Sequence, residues 1–182
     1  MTYFVLAAVL AAGMAAWTDW KTGLIPNWLS FGAILLGVLG HFASGFLAGG
    51  FRAGAVEAGL SLVGVLLCSL APGFMYWKGG MGGGDLKLFA ALGALCLPLW
   101  GIEAQMYGFV VAAIVVPAKL AYRGELLRVL GNSLSLALNP LRPAQRRRQI
   151  PAEVMTWFRL GPAIFAGTLL VVLAHGFELF AG

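Results

Sequence analysis

The chain has 182 residues, of which 60% are hydrophobic and 10% charged, with a net charge of +5 and a mean hydropathy of +0.89. Soluble domains run near roughly 45–50% apolar and about 25% charged residues, so an ordinary water-soluble enzyme is excluded. The basic excess shows no aromatic-interleaved patch and flanks apolar runs, which excludes a nucleic-acid partner and favours anionic lipid headgroups.

Six apolar runs follow in chain order: Thr2–Trp17, Trp28–Phe46, Ala53–Tyr76, Leu86–Ile102, Ala104–Tyr122 and Leu160–Phe180. Each is long enough for a helix that crosses, or nearly crosses, a hydrocarbon core of about 30 Å, and none alternates as a barrel strand would. The predicted fold is all-α: a polytopic membrane helical bundle of about six spans. The first run is not a secretory signal, because its first basic residue, Lys21, comes after the apolar stretch. The fourth contains Pro98 and is predicted to tilt or bend.

With the N-terminus outside, the segments at about 18–27, 77–85 and 123–159 share one face of the membrane. Every Lys and Arg except Arg52 then falls on that face, which the positive-inside rule makes cytoplasmic. Within the longest connection, Leu126, Leu127, Leu130, Leu134 and Leu138 recur at helical spacing, as expected of a helix lying along the interface. Arg142, Arg146, Arg147 and Arg148 follow as a topological anchor able to touch anionic lipid. No internal repeat, low-complexity linker or separate soluble segment is visible, so residues 1–182 read as a single membrane domain. Cys68 and Cys96 sit inside apolar runs with no Cys-x-x-Cys spacing and read as packing residues.

Two of the seven acidic residues, Asp19 and Asp85, fall where a helix meets a loop on the predicted cytoplasmic face. Around Asp85 the chain reads Gly79-Gly80-Met81-Gly82-Gly83-Gly84-Asp85-Leu86-Lys87-Leu88. Glycines at 82, 83 and 84 permit close approach of another chain, which suits a carboxylate that must meet an extended peptide. Alone, Asp85 would equally serve as a helix cap, and Asp19 would be a solvated acid in a short loop. A phosphate-binding loop is excluded, since Lys and Ser or Thr do not follow the last glycine.

Paired at one depth, the two carboxylates can share a proton, one ionised to activate water and the other protonated to polarise a carbonyl. That chemistry needs no metal or organic cofactor. Trp17, Trp20 and Trp28 read as interface anchors. Lys87 lies two residues beyond Asp85, so it points away from that carboxylate by roughly 200° and is a further anchor. His41 and His175 fall near the opposite face.

The two segments together resemble the prepilin peptidases, membrane aspartic proteases of the G-x-G-D type. Gly82-Gly83-Gly84-Asp85 supplies that motif and Leu86-Lys87-Leu88 its continuation, while Asp19 with Ile25-Pro26-Asn27 is similar to the first-aspartate segment. A weaker echo stands at Gly161–Gly167, where Arg159-Leu160 replaces the Pro-Tyr pair expected before it; it is given no role beyond helix entry. The resemblance implies Asp19 and Asp85 as catalytic residues and a pilin-like precursor as substrate, cut before its hydrophobic helix at the cytoplasmic face of a bacterial inner membrane.

The cysteine-paired insertion of the methylating members is missing, so the chain resembles the short peptidase-only members of tight-adherence pilus systems. Signal-peptide-peptidase-like enzymes fit less well, since Trp17-Thr18-Asp19 lacks their Tyr-Asp pair. From a different class, the aspartates could serve a proton- or cation-coupled transporter, although such residues belong near the midplane of a repeated architecture.

Overall fold

The structure is a computed structural model that describes residues 2–122, 124–137 and 159–180. Every element among them is a helix: α1 (Thr2–Thr22), α2 (Asn27–Trp77), α3 (Gly83–Tyr122), α4 (Leu126–Ala137) and α5 (Gly161–Phe180). Helices α1, α2 and α3 are each long and apolar enough to cross a membrane. One compact unit comprises α1, α2, α3 as far as Ala112, and α5; a second holds the end of α3 and α4.

A straight helix of the 51 residues of α2 would measure about 75 Å, more than twice a hydrocarbon core. The helix is not straight. Gly49 (φ −152°, ψ 20°) and Gly50 (φ 76°, ψ −166°) leave helical geometry, and the positive φ of Gly50 is one that glycine adopts without strain. The segments on either side fold onto each other: a Cβ on Gly45 would lie 2.7 Å from the Ala53 carbonyl oxygen, and one on Gly54 would lie 2.8 Å from that of Phe42.

Helix α3 breaks at Leu97 (φ 61°, ψ 172°), immediately before Pro98, and runs unbroken through Ile102, Glu103 and Ala104. The sequence ended the fourth run at Ile102 but also expected Pro98 to bend it, and the interruption falls there, one residue ahead of the proline. Proline lacks the N–H that would bond the carbonyl four residues back, whereas glutamate is a good helix former. The carbonyls next to the break find side chains instead. Ser61 Oγ donates to the Ala94 oxygen at 2.8 Å, and His41 Nε2 lies 3.1 Å from the Leu95 oxygen. His41 is buried and stacked on Phe4 at 3.9 Å. Glu103 pairs with His175 at 2.8 Å, and that ring stacks on Trp100.

In the membrane interior the hydrophobic effect does not separate helix from lipid, so close van der Waals packing of small residues holds helices together. The core follows that rule. Ala8, Ala12 and Ala15 of α1 are fully buried with Leu88, Leu92 and Leu95 of α3, and α1 packs on both α5 and α2. Gly64 and Gly93 bring two backbones together so closely that a Cβ on either would fall 2.1–2.2 Å from the other's oxygen. Gly108 and Gly167 do the same for α3 and α5, a Cβ on Gly167 lying 2.3 Å from the Gly108 nitrogen. Cys68 and Cys96 are free and buried, as their surroundings in sequence suggest.

In the second unit, α4 forms over the leucine-spaced stretch, and Leu127 and Leu130 on it are exposed. Leu138 and the basic residues Arg142, Arg146, Arg147 and Arg148 lie outside the described residues.

Candidate active site

Helix α1 continues to Thr22, so Asp19 occupies its last turn rather than the loop that the sequence suggested. The helix ends there because Gly23 takes φ 71° and its N–H bonds the Asp19 carbonyl at 2.8 Å, a glycine cap in the left-handed region. The cap thus fixes the peptide of Asp19 itself. Its side chain is only 5% exposed, and Oδ2 accepts a hydrogen bond from the Gly161 N–H at 3.0 Å. The Arg159 guanidinium donates through Nη1 to the Trp20 carbonyl and brings its charge within reach of the Asp19 carboxylate.

Asp85 lies in the first turn of α3, 9% exposed, and its carboxylate accepts the backbone N–H of Gly82. That bond is helix capping, one of the two roles open to Asp85 from sequence. Capping leaves the neighbour unexplained: Asp19 stands within direct electrostatic reach of Asp85. Two buried acids from distant segments are brought together, an arrangement that costs free energy unless the pair shares a proton.

The glycines explain how the segments meet. A Cβ on Gly84 would come within 3.2 Å of Ile25 Cβ, so this glycine lets the Asp85 loop press against the Ile25-Pro26-Asn27 segment. Gly82 lies under the Asp85 carboxylate, 3.2 Å from Oδ2 to its would-be Cβ, and Gly83 abuts the Tyr76 ring. Met81, which the sequence reading passed over, drops its side chain into the core with 2% exposure and anchors the loop. Lys87 does more than anchor. Its Nζ donates to Asn27 Oδ1 at 2.9 Å and sits over the Phe31 ring. Asn27 is free for this bond because Pro26, not Asn27, holds the cap position of α2.

Trp17, Trp20 and Trp28 are exposed, as interface anchors would be, and Lys21 lies over the Trp17 ring. Between α1 and α5, Gly13, Ala16, Trp17, Trp20, Pro162 and Phe165 line an open apolar groove of about 350 Å³. No cluster of metal-ligating side chains occurs among the described residues.

A family model of the type IV leader peptidases matches residues 4–117, well over half of the chain. The chain belongs to the type IV leader peptidase family. No curated protein and no solved structure was found to match it. Membership makes this leader-peptidase homologue a peptidase, hence a hydrolase, and its long apolar helices make it a membrane protein. Both aspartates, Ile25-Pro26-Asn27 and Gly82–Gly84 fall inside the matched span, whereas Arg159 and Gly161 lie beyond it. Those two are the site residues that sequence reasoning missed. The available signal was the echo at Gly161–Gly167, which the sequence reading gave no role beyond helix entry.

Proposed function

We propose that the chain is a membrane aspartic endopeptidase that removes the leader of a pilin-like precursor at the cytoplasmic face of a bacterial inner membrane, with Asp19 and Asp85 as its catalytic pair. The observation that supports this reading is that two buried carboxylates, from segments far apart in sequence, lie within electrostatic reach of each other where Gly84 packs against Ile25.

The ionised member takes a proton from water, and the resulting hydroxyl attacks the scissile carbonyl carbon while the protonated member gives its proton to the carbonyl oxygen. Collapse of the tetrahedral diol breaks the C–N bond: one diol hydroxyl returns its proton to the aspartate that had protonated the carbonyl oxygen, and the proton gained from water passes to the leaving nitrogen. The pair ends with one proton, as it began. Gly82–Gly84 admit the unwound leader beside the pair. Neither a cofactor nor a metal takes part, and methyl transfer is not expected.

The reversals at Gly49–Gly50 and Leu97–Pro98 support reading α2 and α3 as two spans each, which with α1 and α5 makes six. The charge distribution supports an outside N-terminus.

Cleavage of a co-expressed pilin precursor by the wild type, Asp19→Asn and Asp85→Asn tests the reading, with membrane abundance followed by immunoblot. Loss of cleavage in both variants at normal abundance, with EDTA leaving the wild type unaffected, is the expected result. Cleavage retained by either variant removes that residue from catalysis.

A further inference from the structure

We infer that Arg159 and Gly161, at the entry of α5, are positioning residues that hold the Asp19 carboxylate in its working orientation, making this helix a third contributor to the site beside α1 and α3. The inference rests on the dyad reading above and adds to it a segment outside the family match.

An aspartate in the last turn of a helix has two free side-chain torsions, and a carboxylate that must face both a water and a second carboxyl group needs them fixed. Within α1 nothing fixes them: Gly23 bonds the backbone carbonyl of Asp19, not its side chain. The restraint comes from α5. The Gly161 N–H holds Oδ2 at 3.0 Å in a buried bond, which leaves Oδ1 uncommitted by that bond.

The fit at Gly161 is close enough to demand glycine. A Cβ there would sit 2.8 Å from Asp19 Oδ2, 2.9 Å from Asp19 Cβ and 3.2 Å from Ala16 Cα. Two of these are atoms of the α1 backbone or its first side-chain carbon, which cannot swing aside. Pro162 follows and has no N–H, so the donors at this helix entry are few and one of them is committed to Asp19.

Arg159 completes the clamp. Its Nη1 donates to the Trp20 carbonyl, tying the start of α5 to the residue after Asp19. The guanidinium also packs beside the glycine that caps α1, where a Cβ on Gly23 would lie 3.8 Å from both Nε and Nη2, an ordinary contact. One planar group therefore bonds the residue that follows Asp19 while its charge reaches the carboxylate.

The test uses the full chain in detergent, a synthetic precursor with a basic leader and apolar helix, and kcat and KM measured separately. Variants are Gly161→Ala, Arg159→Gln and Arg159→Lys, with Asp19→Asn alongside and thermal melting to report folding. Gly161→Ala and Arg159→Gln are each expected to lower kcat by about tenfold to a hundredfold, the range for a misplacement near 1 Å, with KM within about twofold. Arg159→Lys, which keeps the charge, is expected to recover most of the loss. A merely structural role would lower the folded fraction and leave the kcat of what remains unchanged; that result overturns the inference, as does wild-type kcat in both variants. Should Gly161→Ala fail to fold, Arg159→Gln alone decides, because that side chain is exposed. Cleavage by Asp19→Asn would instead sink the dyad reading, and the two failures are told apart by that lane.

Discussion

Lys87 Nζ donates to Asn27 Oδ1 at 2.9 Å, joining the helix that carries Asp85 to the segment that follows Asp19. The bond is exposed, so its contribution is modest, but it spans the two halves of the candidate pair. Lys87→Met and Asn27→Leu are each expected to lower kcat/KM by about threefold to tenfold, corresponding to ~1 kcal/mol for a hydrogen bond to a charged group discounted for solvent. The double variant should be no worse than either single one. Additive losses in that cycle would show that the two residues act separately.

The contact of Gly84 with Ile25 makes a size test possible. Gly84→Val should drive the two segments apart and lower cleavage by about a hundredfold, and Gly84→Ala by less, because the would-be Cβ lies 3.2 Å from Ile25 Cβ. Ile25→Gly, which removes the Cβ that would be met, should restore part of the loss in the Gly84→Ala background. Gly80→Ala, with only the Met75 oxygen at 3.5 Å, should be nearly neutral. Equal loss at positions 80 and 84 would mean that loop flexibility matters rather than this contact.

The comparison of sequence with structure turns on which residues act locally. Asp19 and Asp85 stood out because acids are rare in this chain and both adjoin helix ends, and the glycine run announced a close approach. The turn at Gly49–Gly50 fell within the gap left between the second and third apolar runs. The bend at Pro98 was legible because proline removes a backbone donor; only the end of the run was misplaced, since Glu103 interrupts an apolar run as visibly as a proline does. Glu103 stays helical and finds His175 instead. The Gly161 segment was visible as an echo, but the contacts of Arg159 and Gly161 and the Lys87–Asn27 bond were not, because each partner lies 60 or more residues away and no local pattern encodes which helix end meets which.

At the other end of the bundle, stability rather than chemistry should respond. Ser61→Ala strands the Ala94 carbonyl, already denied its helical partner by Pro98, and is expected to cost about 1–3 kcal/mol. The melting temperature in detergent should fall while the kcat of the folded fraction stays near wild type. A kcat loss at unchanged melting temperature would contradict this division of labour.

Where Gly64 meets Gly93, no side chain fits. Gly64→Val places a carbon 2.1 Å from the Gly93 oxygen and should abolish accumulation of folded protein, a larger effect than the ~1–3 kcal/mol of ordinary overpacking. Gly32→Ala, on the same helix with nothing within 4 Å, is the control and should be neutral. Immunoblots of membrane fractions read both.

The pairing of α1 with α5 also sets a timetable. A ribosome inserting this chain releases α1 into the bilayer long before α5 exists, and the Gly161 amide follows Asp19 by 142 positions. Until then the α1 face that α5 will cover, including Asp19, stands open to lipid, water or a holding factor. The bundle closes when the late helix arrives, so the nascent peptidase carries its first aspartate unclamped through most of its own synthesis.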